Sequence, residues 1–367
     1  MRLLVDIRKL SNRPSGIGIY IYNFIKEIMN YREIEITAIT DVLLSDEILE
    51  LKSLNLKFIE YGKEVNSNIE VFKYFRFVEE VIKREKPKCF WEPNFIIPRN
   101  LKRKFKDIRF IVTVFDLIPI TNPEFVSIKY RIYFKYFLKK TLKNIDSIIY
   151  ISNTVKNQCE KMYKFISDKP SLMNYVIINK EIKEREELID NNYFLFIGNI
   201  EERKGIRVLL EAYKMYFKNG GSKKLKIVGS IRDVRIQELI NNMILDFGEN
   251  IEYLGYVDIR KKEELIEKSS ALIFPSYIEG FGIPPVEAIA KGKPVIVSNI
   301  EIFKEILGDS ATYFDISDDF NNSICSLYEA MIEYKDNNNL DITERILEKY
   351  NGKVLTEKLV DFILMEN

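Results

Sequence analysis

The stretch Pro275-Ser276-Tyr277-Ile278-Glu279-Gly280-Phe281-Gly282-Ile283-Pro284-Pro285-Val286-Glu287-Ala288 follows the apolar run Ala271–Phe274. A run of that kind reads as a buried strand. Two successive prolines suit the first turn of a helix, where a missing N–H leaves no bond unmade. The segment is therefore strand, loop, helix. Gly280 and Gly282 let backbone N–H groups come close to a ligand, and the helix start adds partial positive charge, so the loop can hold a phosphate. Glu279 and Glu287 bracket the loop and can accept hydrogen bonds from sugar hydroxyls. The plainer alternative is a turn followed by a Glu287 that only offsets the helix dipole.

The same alternation extends outward along the chain. Strand-like runs lie at Leu3–Asp6, Glu35–Ile39, Lys57–Ile59, Cys89–Trp91, Phe110–Val114 and Ser147–Ile151. A second set lies at Phe194–Gly198, Leu225–Gly229, Ile251–Leu254, Ala271–Phe274, Pro294–Val297 and Thr312–Phe314. Helical patterns separate them, among them Gly18–Asn30, Ser67–Lys86 and Arg207–Phe217; in the last, Leu209, Ala212, Tyr213 and Tyr216 recur at helical spacing. Strand–helix alternation implies a parallel sheet covered on both faces, here twice. The 367 residues agree with two domains at roughly 150 residues each. The expected division is 1–178, a charged linker at 179–192, 193–345, and a C-terminal helix in 346–367 that packs back toward the first domain.

Composition removes several classes of function. With 46% apolar residues, 15 Gly and 11 Pro, neither disorder nor a collagen-like chain is expected. No uncharged run approaches the roughly 18 apolar residues of a spanning helix. Met1–Asp6 meets a charge too early for a secretory signal and reads as a strand. Cys89, Cys159 and Cys325 are odd in number and lack metal-type spacing, which points to a reducing cytoplasm. The chain has no histidine, so a Ser-His-Asp triad, a Cys-His pair and a His-ligated metal are all excluded. The net charge of +1 hides an asymmetry: residues 1–180 carry 32 Lys and Arg against 21 Asp and Glu, leaving 24 against 34 in the rest. A basic half beside an acidic half points to an anionic surface or substrate on one side.

Other motifs also follow strand-like runs. Gly198-Asn199-Ile200-Glu201-Glu202-Arg203-Lys204-Gly205 supplies two fixed cations for a leaving diphosphate, or is a solvated charged loop. Ser15-Gly16-Ile17-Gly18-Ile19-Tyr20 offers Gly16 and Gly18 for close backbone approach; Ile21 at the third glycine position weakens a nicotinamide reading. Asp116, in Val112–Pro119, orients a hydroxyl or caps a turn, and Ser152 and Thr154 are read first as helix caps. Basic stretches occupy 99–109 and 128–143, the second with Lys129, Arg131, Lys135, Lys139, Lys140 and Lys143 interleaved with aromatics and free of acids. Such a helix suits an anionic bilayer, or buries an aromatic stripe beneath a solvated basic face.

The spacing Glu279-x7-Glu287 resembles the Glu-x7-Glu signature of the family-4 retaining glycosyltransferases of GT-B fold, and the likeness covers nearly the whole chain. Lys293–Asn299 followed by Glu305, and Gly308–Asp315, resemble that family's next strand–helix–strand unit. The nearest style is that of bacterial mannosyltransferases of surface-polysaccharide assembly. The resemblance implies an α/β GT-B architecture: two Rossmann-like, doubly wound parallel-sheet domains facing across a cleft. It sets Glu279 at the donor sugar and Glu287 at the nucleotide ribose. It makes Lys204 and Arg203 the diphosphate cations, and brings Gly16 and Gly18 near the donor phosphates. Tyr256 and Val257, with Gly229 nearby, would read the base, and Gly198, Gly280, Phe281 and Gly282 would line the donor site. Ser152 would approach the donor, and Phe115 stands where relatives carry histidine, beside a retained Asp116.

The expected function is transfer of a hexose, with retention, from a nucleotide-diphosphate sugar to a saccharide or lipid-linked saccharide in cell-surface polysaccharide synthesis. GDP-mannose is the favoured donor and UDP- or dTDP-sugars the others. No cofactor and no metal are expected. The location is cytoplasmic, at the inner face of the plasma membrane through 99–109 and 128–143. The rivals are a sugar-nucleotide epimerase of the same architecture and a non-catalytic sugar-nucleotide-binding or scaffold subunit. No recognised nucleic-acid-binding motif accompanies the basic patches.

Overall fold

In the computed structural model the described residues are 1–11, 16–94, 96–98, 100–178, 192–231, 233–334 and 340–365. Residues 179–191 of the charged linker expected at 179–192, together with Ser15 and Arg99, lie outside them. The chain forms two compact units, Met1–Ile177 with Tyr350–Asn367, and Ile178–Lys349.

In the first unit the strands are β1 (Arg2–Asp6), β2 (Glu35–Thr40), β3 (Lys57–Glu60), β4 (Cys89–Glu92), β5 (Arg109–Val114), β6 (Ser147–Tyr150) and β7 (Ser171–Met173). They form a parallel sheet in the order β3-β2-β1-β4-β5-β6-β7, with Val5 opposite Ala38 and Trp91. Central strands β4, β5 and β6 are buried at every position. That is why they read as continuous apolar runs: helices cover both faces. The short strand β7 is an element that the apolar-run pattern does not show.

The second unit repeats the plan with β8 (Tyr193–Ile197), β9 (Lys224–Val228), β10 (Ile251–Gly255), β11 (Ala271–Phe274), β12 (Val295–Ser298) and β13 (Thr312–Phe314). Their order is β10-β9-β8-β11-β12-β13. Helix Ile206–Lys218 buries Leu209, Ala212, Tyr213 and Tyr216 as its spacing requires, packing them with Phe194 and Ile227. Pro294, expected to open β12, stands just outside it. A proline cannot donate to the ladder.

Helix Gly352–Leu364 belongs to the first unit, where it packs on helix Gly16–Ile28. Arg109 secures its end. The guanidinium donates through Nη1 to the Phe362 and Met365 carbonyls at 2.6 and 2.9 Å, and through Nη2 to Ser147 Oγ at 2.8 Å. A cation on the last carbonyls of a helix satisfies acceptors that would otherwise be orphaned. This corrects the placement of Arg109 in a basic surface stretch: it is buried. Within the same stretch Lys102 pairs with Asp146 and Lys104 with Glu79.

Candidate functional site

The strand order of the second sheet reverses between β8 and β11, whose carboxyl ends open into the loops Gly198–Gly205 and Pro275–Gly282. Ligands of open α/β sheets bind at such a switch point. Two backbone contacts fasten these loops together. The Tyr277 N–H donates to the Arg203 carbonyl at 2.9 Å. Gly205, at φ +68°, lies so close to the other loop that a Cβ would stand 1.9 Å from the Pro275 carbonyl oxygen.

Lys204 sits on the turn Glu202–Lys204 and is only 8% exposed. Its ammonium is ion-paired with Glu279 Oε1 and lies 4.6 Å from the centre of the Phe274 ring. Arg203 Nη1 stands 3.6 Å from Glu279 Oε2, and its Nε donates to Glu201 Oε2 at 3.0 Å. Burial is the largest influence on both members of the Lys204–Glu279 pair. It lowers the pKa of Lys204, with Glu279 restoring part. It also acts to raise that of Glu279, but Lys204 and Arg203 outweigh it and hold Glu279 below the ordinary carboxylate value. The outcome is a carboxylate gripped by two cations at the fork between two strand ends.

The remaining candidates of this unit lie on loops at the same end of the sheet. Gly229 follows β9 at φ +140°, so close to Gly198 that a Cβ would meet the Gly198 carbonyl oxygen at 1.8 Å. Tyr256, 48% exposed, and the half-buried Val257 follow β10. Gly280 and the buried Phe281 and Gly282 lead into helix Ile283–Ala290, which carries Glu287. Glu287 is not part of the Lys204 group. Its Oε1 pairs with Lys262 Nζ at 2.6 Å, and its Oε2 is buried with no hydrogen-bond partner among the described residues.

In the first unit, Gly16 and Gly18 lie in the first turn of helix Gly16–Ile28. The expected loop is thus helix, starting two residues before the periodic pattern, because glycines contribute no apolar side chain to that pattern. Asp116 follows β5 and accepts the Ile118 N–H at 3.1 Å. Ser152 accepts the Val155 N–H at 3.2 Å, capping helix Asn153–Met162. Phe115 is buried, edge-on to Tyr20 with ring centres 5.1 Å apart.

The family "Glycosyl transferases group 1" matches residues 178–341. The second unit is a group 1 glycosyl transferase domain. A relative, the O-antigen chain mannosyltransferase RfbU of Salmonella typhimurium, is 33% identical over 57% of this chain. The match spans 57% of RfbU, little more than half its length. O-antigen chain mannosyltransferase B of Escherichia coli is 23% identical over 87% of each chain. Among solved structures WaaG, a glycosyltransferase involved in lipopolysaccharide biosynthesis, superposes with a TM-score of 0.72 at 15% identity over all of both chains. The fold is GT-B.

Within the glycosyl transferase domain, two contributors went unread in the sequence. Lys262, on helix Ile259–Glu267, is the partner of Glu287. Its neighbours Arg260 and Lys261 are also cations, and nothing in their spacing singles out Lys262. Glu201 is the partner of Arg203; its position two residues away was the available signal.

The close approach at Gly205 has a measurable consequence. Gly205→Ala forces a left-handed conformation and an overlap with Pro275, together about 3 kcal/mol or more of domain stability. Gly292 has nearly the same φ, +72°, but open space at its Cβ position, so Gly292→Ala incurs the strain alone, about 1 kcal/mol. Urea unfolding of the two variants checks the difference. Equal losses would mean that the contact between the loops does not tighten the fork.

Proposed function

We propose that this chain is a retaining hexosyltransferase using a nucleotide-diphosphate sugar, with GDP-mannose the favoured donor and UDP- or dTDP-sugars the others. Its acceptor is a saccharide or lipid-linked saccharide of cell-surface polysaccharide synthesis, used at the cytoplasmic face of the membrane. The observation that carries this reading is the convergence of Lys204 and Arg203 on Glu279 at the β8–β11 fork. The mannosyltransferase relatives supply the sugar.

The chemistry follows from those groups. An acceptor hydroxyl forms a bond to the anomeric carbon while the bond from that carbon to the diphosphate oxygen breaks. The departing phosphate oxygen takes the hydroxyl proton on the same face, so no protein base near pH 7 is needed and a chain without histidine can perform the step. The rising charge on the diphosphate falls to Lys204 and Arg203, assisted by the backbone amides after Gly280. Glu279, relieved of part of its cation contact by the diphosphate, accepts hydrogen bonds from the sugar hydroxyls and orients the ring. Glu287 presents a carboxylate with an unused oxygen to the ribose diol. Asp116, Ser152 and the Gly16–Gly18 turn belong to the acceptor-side unit. The two cations supply the charge that a divalent ion would otherwise bring, and we propose transfer without a metal.

A thermal-shift panel of GDP-mannose, UDP-glucose and a dTDP-sugar tests the donor, with GDP-mannose expected to raise the melting temperature most. Release of nucleotide only when acceptor is present separates transfer from epimerisation or binding alone. The anomeric configuration of the product, read by NMR coupling, tests retention. An inverted product, or no shift with any nucleotide sugar, overturns the reading.

A further inference from the structure

Helix Ile128–Lys143 carries a surface that no step of sugar transfer uses. Its core side is ordinary: Phe134, Phe137, Leu138, Thr141 and Leu142 are buried. The opposite side is not. Ile128 is 75% exposed, Ile132 64% and Tyr136 44%. These three recur at i, i+4 and i+8, so they form one stripe along the middle of the face turned away from the core. Lys129 and Lys140 flank the stripe on one side, Arg131 and Lys135 on the other, and Lys139 and Lys143 continue it toward the C-terminal end. All six cations are exposed. Among the described residues none of the six is in an ion pair; Lys140 and Lys143 lie over the rings of Tyr136 and Phe165.

The apolar surface continues onto helix Asn68–Glu85. There Phe72, 53% exposed, rests against Phe137 with ring centres 6.5 Å apart, and Ile69, 68% exposed, lies one turn earlier. A helix placed only for solubility would turn its polar residues outward and leave no apolar stripe among them. Here large apolar groups and cations share the outward face, and the helix contains no acid.

We propose that this face docks on an anionic lipid bilayer, lying in the plane of the interface. Ile128, Ile132 and Tyr136 enter the boundary between headgroups and acyl chains, and the flanking cations engage lipid phosphates. Charge complementarity selects this occupant. A protein partner would need an acidic surface with an apolar ridge of matching length, whereas an anionic bilayer offers both chemistries everywhere. The arrangement is that of interfacial helices, in which an apolar face and flanking Lys and Arg act together. Among the described residues no helix is long and apolar enough to cross a membrane, so the contact proposed is peripheral.

The test is co-sedimentation of the full chain with vesicles of neutral phosphatidylcholine, or of phosphatidylcholine with about one third phosphatidylglycerol. Binding is expected only with the anionic vesicles and is expected to weaken at high salt, each cation near the surface contributing about five-fold. Two sets of variants separate the contributions. Lys129→Gln, Lys135→Gln and Lys139→Gln together should reduce binding by about a hundred-fold. Ile128→Asn with Ile132→Asn should reduce it at least ten-fold with every cation in place. All five positions are exposed, so circular dichroism and nucleotide-sugar binding should not change. Equal sedimentation with neutral vesicles, or full binding by the isoleucine variant, overturns insertion. Sedimentation equilibrium supplies the remaining arm: a dimer that the isoleucine variant converts to monomer would assign the face to a second copy of this chain and sink the proposal.

Discussion

Lys204→Met should lower kcat by about 10²–10³ while the chain stays folded and still binds nucleoside diphosphate. Removal of one preorganised group that stabilises developing charge has an effect of that size in other enzymes. The setting supports the upper part of the range. Lys204 is buried against the Phe274 ring, where low polarity would strengthen its proposed action on a leaving phosphate. Arg203, 3.6 Å from the far oxygen of Glu279, remains as the second cation and prevents complete loss. Methionine fills the lysine's volume, so the packing against Phe274 survives.

The same residue predicts a pH dependence. Burial lowers the Lys204 pKa, with Glu279 opposing, and the proposed transfer uses Lys204 as the ammonium. The rate should therefore fall on the alkaline side at a lower pH than an ordinary lysine would set, and Lys204→Arg, which keeps its charge, should move that limb upward. A stopped nucleotide-release assay across pH reads both effects. A variant without Lys204 that turns over at the wild-type rate removes it from the chemistry and leaves Glu279 with a structural counter-ion only.

Much of this site was legible because its chemistry is local. Lys204 and Arg203 lie in a short loop after a strand and Glu279 lies in another, so strand ends bring forward the three side chains that the structure draws together, while Glu287, eight residues on, lies apart and pairs with Lys262. Strands buried on both faces announce themselves as apolar runs, which is why the two sheets could be laid out in advance. The misses share a different physical origin. β7 has three residues, follows Pro170 and begins with an exposed serine, leaving no run to detect. Arg109 resembles its cationic neighbours, and the carbonyls that bury it belong to Phe362 and Met365, which no local spacing connects to it. Lys262 becomes distinct from Lys261 only when two helices bring it to Glu287. In the sequence Asp6 closes the run Leu3–Asp6 and Glu92 lies one residue past the run Cys89–Trp91, and nothing local singles out either charge. Those two strands, β1 and β4, are neighbours at the point where the first sheet reverses its order.

Their meeting gives the second large effect: Asp6→Ala should destabilise the first unit by about 3–5 kcal/mol, the loss seen when one member of a buried ion pair is removed. Asp6 Oδ2 lies 2.8 Å from Arg8 Nε, and Glu92 Oε2 lies 3.4 Å from Arg8 Nη2, with both carboxylate side chains only 1% exposed. The guanidinium carbon also lies over the Tyr74 ring, 4.2 Å from its centre. Without Asp6 the guanidinium keeps, of these two carboxylates, only the more distant Glu92. Glu92 should behave differently. Burial first, and then the charge of Asp6, push its carboxyl well above the ordinary value, with Arg8 opposing. A carboxyl that holds its proton more tightly when folded contributes stability that is complete below its unfolded pKa. That contribution is lost as pH rises through the folded one. Glu92→Gln keeps an acceptor for the Asn94 N–H, which now donates to Oε1 at 2.8 Å, and cannot ionise. The variant should therefore lose stability less steeply than the parent as pH rises from the acidic range, with the two curves converging toward low pH. Urea unfolding of both proteins at a series of pH values measures the slopes. Parallel curves would show that Glu92 ionises alike in the folded and unfolded chain and would overturn this account of its burial beside Asp6.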